Sequence, residues 1–120
     1  MNRFLLLVAA AAMMVAPAVG ADITGTWTAS FETQVGTQNY TYTFKVEGTK
    51  LTGTAKSNLG EGAIENGTVN GDDVSFVENL NYQGMPFQIQ YKGKISGNEI
   101  KFTRVVTEGI IEELVAKRAK

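Results

Sequence analysis

Cysteine is absent from this chain, and so is histidine. Without thiols there is no disulfide, no thiolate metal site and no thiol nucleophile. Without imidazole, Ser-His-Asp triads, histidine general bases and the usual zinc centres fall away as well. Tryptophan is nearly missing, since Trp27 stands alone. Positive charge is never concentrated: no basic run exceeds the closing Lys117-Arg118-Ala119-Lys120. With a formal net charge of -1, that scarcity argues against a nucleic-acid partner.

Long apolar runs are confined to Phe4–Val15, which falls short of the roughly 20 residues needed to span a bilayer. A positive start at Met1-Asn2-Arg3 precedes this run. Pro17 then breaks it, and Val19 and Ala21 place small residues where signal peptidase reads them, before Asp22. The expectation is a bacterial signal peptide over residues 1–21, cleaved to give a periplasmic or secreted protein with no remaining membrane span. Lipoprotein attachment is excluded by the missing cysteine. Residues 22–120 suffice for a single domain with a modest core.

What is present is a repeated hairpin signal. An aliphatic residue, one spacer, glycine, two polar residues and another aliphatic recur at Val46-Glu47-Gly48-Thr49-Lys50-Leu51, Val69-Asn70-Gly71-Asp72-Asp73-Val74 and Ile95-Ser96-Gly97-Asn98-Glu99-Ile100. Glycine supplies the positive φ of a tight turn while apolar residues resume on one face. Eight strands follow from this punctuation: Ile23–Thr33, Asn39–Glu47, Lys50–Asn58, Ala63–Asn70, Asp73–Leu80, Met85–Ser96, Glu99–Val106 and Glu112–Ala119. The tail also has helical spacing at Ile111, Leu114, Val115 and Arg118. We read it as a strand, because an open barrel needs its eighth member. The fold expected is all-β: an antiparallel up-and-down meander closing into an eight-stranded β-barrel.

Alternation along each strand separates inside from outside. Tyr40, Tyr42, Phe44 and Val46 share the inner face of strand two, and Phe87, Ile89, Tyr91 and Ile95 that of strand six. Small inward residues Ala29, Gly53, Ala55, Ala63 and Gly67 would leave room for a ligand, or equally admit tight packing. The same parity places Ser57, Glu65, Glu78 and Arg104 inside. Buried charges need partners, so one reading pairs Arg104 with Glu78 or Glu65. The other makes Arg104 an anchor for a carboxylate, phosphate or sugar hydroxyl within an apolar pocket flanked by Tyr42 and Tyr91. At Asn66-Gly67 a second turn signal suggests that strand four is bent or bulged.

Near the amino end, Gly25 and Trp27 open strand one and Arg118 lies on the last strand. This Gly-x-Trp, the meander and the late basic residue resemble the calycin superfamily of lipocalins, fatty-acid-binding proteins and avidins. The resemblance implies that Trp27 closes one barrel end with Arg118, or Lys117, lying across it. Leu51-Thr52-Gly53-Thr54 also looks like the third-strand region of avidins.

The function expected is non-catalytic binding of a small, mainly apolar or polar-headed molecule in the barrel, with no cofactor and no metal. A different class remains open: a carbohydrate-binding accessory domain using Tyr82, which the sequence places in the loop Asn81–Pro86. Two carboxylates, Glu65 and Glu78, also admit a glycoside hydrolase.

Overall fold

A computed structural model describes residues 21–106 and 109–119. The expected signal peptide therefore lies, Ala21 apart, outside the described residues. Eight strands are present: β1 (Gly25–Thr33), β2 (Gly36–Glu47), β3 (Lys50–Ser57), β4 (Gly60–Asn70), β5 (Asp73–Tyr82), β6 (Met85–Ser96), β7 (Glu99–Val106) and β8 (Ile110–Arg118). Each pairs antiparallel with the next, and β8 returns to β1 to close the barrel. This is the all-antiparallel closed architecture that the calycin resemblance implies at the level of fold.

The three repeated hairpins form in the expected register, with Val46 opposite Leu51, Val69 opposite Val74 and Ile95 opposite Ile100. At their tips Gly48, Gly71 and Gly97 adopt φ of 65°, 59° and 61°, the left-handed region that a side chain bearing Cβ resists. The tail is a strand paired along its length with β7. Its buried residues Leu114 and Ala116 alternate with exposed neighbours, a period of two that excludes the helical reading.

Inward parity holds on seven of the strands and fails on part of β4. There Asn66 takes a φ of 54° and the register with β5 shifts between Glu65 and Thr68. A bulge adds one residue to one strand and turns the preceding side chains over. Ile64 is therefore buried, while Ala63 and Glu65, expected inside, are exposed. Gly53 marks a second irregularity, where β3 slips against β4 between Leu51 and Thr54. A Cβ built on Gly53 would stand 1.8 Å from the Thr43 carbonyl oxygen, so the backbones approach where only glycine fits.

Closure at the seam is short. Between β1 and β8 the pairing consists of Trp27 with Arg118 and Thr28 with Lys117, extended by a bond from the Ala119 amide to the Thr26 carbonyl (2.8 Å). Trp27, wholly buried, plugs this end. Its indole N–H donates to the Ile23 carbonyl (2.9 Å), and the Arg118 guanidinium lies 4.6 Å above its ring, within cation–π range. Arg118 also donates to the Thr24 and Asp22 carbonyls, which ties the chain start across the plug. Gly25 adopts a φ of 134°, a backbone conformation that a residue bearing Cβ resists, and so lets the chain start turn across the plug.

Above the plug the axis is filled. Phe76 stacks on Tyr91 with ring centroids 4.3 Å apart, and Tyr42 meets Phe44, Phe76, Tyr91 and Phe102 at 5.7 to 6.2 Å. These are the offset and edge-to-face arrangements that aromatic quadrupoles favour. The middle of the barrel is thus core, and open space lies at the opposite end, among the turns at residues 34–35, 58–59 and 83–84.

Candidate functional site

Between the aromatic core and the open mouth stands a layer of buried polar side chains. Alternation on β7 and β5 turns Arg104 and Glu78 inward, and both are almost fully buried. Arg104 Nη1 lies 3.5 Å from Glu78 Oε1 and donates to the Tyr91 and Tyr40 hydroxyls at 2.7 and 3.1 Å. Those hydroxyls pass the polarity on: Tyr91 donates to Glu78 Oε1 (2.7 Å) and Tyr40 to Glu78 Oε2 (2.9 Å). With its proton so directed, Tyr91 accepts from Tyr42 at 2.9 Å. Every member of this network has a partner, which is the condition under which burying polar groups is tolerated.

A second carboxylate completes the layer. Arg104 Nε donates to Glu112 Oε1 at 2.7 Å, and Arg104 and Glu112 face each other across β7 and β8. The guanidinium is further held by the rings of Phe31 and Tyr40, at 4.8 and 5.1 Å. Burial pulls the Arg104 pKa down, but the surrounding phenols and the bonds to Tyr40 and Glu112 outweigh it, so the group stays charged. Burial pushes the Glu78 carboxyl up, opposed by the Tyr91 bond, Arg104 and Tyr40. Burial also raises the Tyr42 and Tyr91 phenols well above their ordinary value, which keeps both neutral and able to donate.

Beyond this layer the mouth forms a recess of about 210 Å³, walled by Leu59, Leu80, Tyr82, Phe87, Ile89 and Val106. Glu112 is the one charged side chain lining it among the described residues. The recess is below the ~300–1,000 Å³ typical of drug-sized sites, so its occupant is small.

Of the residues singled out in the sequence, Arg104, Glu78, Tyr42 and Tyr91 come together in one cluster, and the Arg104–Glu78 pair is present. Glu65 does not join them. It is exposed and lies opposite Val77, whereas the inward Ile64 lies opposite Glu78, so the two carboxylates occupy opposite sides of the wall and share no space for a substrate. Tyr82 is not in a loop: it ends β5 and, half-buried, packs against the core. Gly25, Trp27 and Arg118 sit at the plugged end.

Sequence reasoning missed Glu112. Its signal was available in parity, because Glu112 precedes Leu114 and Ala116 on the inner face. Comparison with known families, curated proteins and solved structures gives no match.

Proposed function

We propose that this protein is an exported, non-catalytic binding protein that takes a small, mainly apolar molecule at the mouth of its barrel. The observation that carries this reading is the recess itself. Its wall is mainly aliphatic and aromatic, with Thr33, Gln34 and Glu112 its polar members, and it stays unfilled while the rest of the axis is packed. Transferring an apolar ligand into such a space gains roughly 25 cal/mol per Å² buried. The polar layer beneath supplies a rigid base, since Arg104 and Glu112 are fixed by their bonds before any ligand arrives. Pre-organisation of this kind lowers the entropic cost of binding.

Mature protein titrated with the fluorescent probe N-phenyl-1-naphthylamine tests the proposal. Saturable binding is expected, and Ile89→Trp, which fills the recess from β6, should abolish it while circular dichroism stays that of the parent. No binding by the parent protein, or equal binding by the filled variant, would overturn the mouth as the site.

A further inference from the structure

We infer that the head group accepted at the mouth is cationic, so that the ligand is a small hydrophobic amine carrying its ammonium toward Glu112. This rests on the recess being the binding site, and it specifies the chemistry that the recess selects.

The first reason is the charge of the polar layer. One guanidinium, Arg104, is shared by two carboxyl groups, Glu78 and Glu112. The side chain that reaches the recess is a carboxylate, not the arginine. Arg104 is absent from the lining, 5% exposed, and engaged through Nε and Nη1. Glu112 uses Oε1 for Arg104, and its Oε2 takes no part in that layer. An incoming carboxylate would therefore meet a like charge first, whereas an ammonium would meet an acceptor in a low-dielectric setting where such bonds are strong.

A second, separate observation is the distribution of charge along the barrel. Glu32, Glu61, Glu78 and Glu112 stand in the mouth half against Lys56 and Arg104. Lys45, Lys50, Lys92, Lys94, Lys101 and Lys117 lie toward the plugged end, offset in part by Glu47, Asp72, Asp73 and Glu99. A field of this sense draws cations to the mouth.

Octylamine, octanol and octanoate share one tail and differ in the head, so calorimetric titration of the mature protein with each separates the claims. Octylamine should bind about tenfold or more tighter than octanol, as expected for a charge-assisted bond, with octanoate weakest. In Glu112→Gln the ratio of octylamine to octanol affinity should fall toward one. Equal binding of all three by the parent protein would overturn the cationic preference and leave the recess as the site. Tightest binding of octanoate would mean that Arg104 Nη2, which takes no part in the bonds above, receives the head group, and would also overturn it. An amine preference that survives Glu112→Gln would mean that Glu112 does not receive the ammonium, and would overturn the proposal. Failure of all three ligands to bind would sink the recess itself. The comparison of the three ligands on unaltered protein needs no variant to fold.

Discussion

The plugged end and the mouth of this barrel use opposite means to cover their last layer. At the plugged end one wholly buried indole, Trp27, fills the cross-section, gives its only polar atom to the Ile23 carbonyl, and is roofed by Arg118. At the mouth no single side chain does this: Leu59, Tyr82, Phe87 and Val106 are each only half-buried around a recess. Closure is therefore a property of one end, and the other keeps an open recess. The difference predicts where stability and binding separate, because deleting buried atoms costs more than deleting atoms already in water.

The largest effect expected is at the plug. Trp27→Ala should cost about 3–5 kcal/mol in urea unfolding, whereas Phe87→Ala, truncating a half-exposed ring, should cost about 1 kcal/mol while weakening binding of an apolar probe. Comparable losses at the two sites would erase the distinction between the ends. Next comes the boundary between them. Arg104→Met leaves the carboxylates of Glu78 and Glu112 without their cation and should cost about 3 kcal/mol, toward the low end for a broken buried pair because Glu112 borders the recess. Adding Glu78→Gln should recover much of that loss. An undiminished loss in the double variant would mean that Glu78 does not depend on Arg104.

Much of this was legible in the sequence, for reasons that particular residues make plain. Turn glycines at Gly48, Gly71 and Gly97 fixed the hairpins, and alternation then turned Arg104 and Glu78 to the same interior. Gly25, Trp27 and Arg118 identified the plugged end. Legibility failed where strands cease to count by two. The bulge at Asn66 reverses every side chain before it on β4, so counting by two puts Glu65 on the wrong face even though the Asn66-Gly67 pair marks the place. Parity on the last strand turns Glu112 inward, but only the register between β7 and β8 sets it opposite Arg104. The recess was beyond the sequence altogether, since filling depends on how rings from five strands meet along the axis.

The mouth does not tolerate change everywhere. Gly62 lies on β4 in the mouth half, and a Cβ there would stand 1.7 Å from the Asn79 carbonyl oxygen and 2.9 Å from its carbon. Backbone cannot move aside as a flexible side chain can, so Gly62→Ala should cost about 1–3 kcal/mol through strain. Exposed Thr37 in the same half should accept Ala at less than about 1 kcal/mol, despite its bond to Glu32. If Gly62→Ala proved as mild as Thr37→Ala in matched denaturation, β4 and β5 would not approach so closely, and the mouth would be loose in its backbone as well as its side chains.

The smallest effect expected concerns Glu78, and it is one of sign. Burial raises the folded-state pKa of this carboxyl above its ordinary value, against the opposing influence of the Tyr91 bond, Arg104 and the Tyr40 bond. Between the ordinary and the raised value the native state holds a proton that the unfolded chain has released. Stability from this group is then fully present below the unfolded pKa and is lost as pH rises through the folded one. Acidification from neutrality should therefore favour the parent over Glu78→Gln. The other acidic residues are the same in both proteins. Arg104 stays charged and the Tyr40 and Tyr91 phenols stay neutral throughout, so neither contributes a slope. Glu112, which shares the guanidinium, remains in both. Urea midpoints of the two proteins, measured from neutral pH into the acid range, read the difference directly: it should move in favour of the parent as pH falls. A constant difference would mean that the bonds to Glu78 balance its burial. Movement the other way would mean that they outweigh it, making the polar layer a source of stability in its ionised form and not only a base for the mouth.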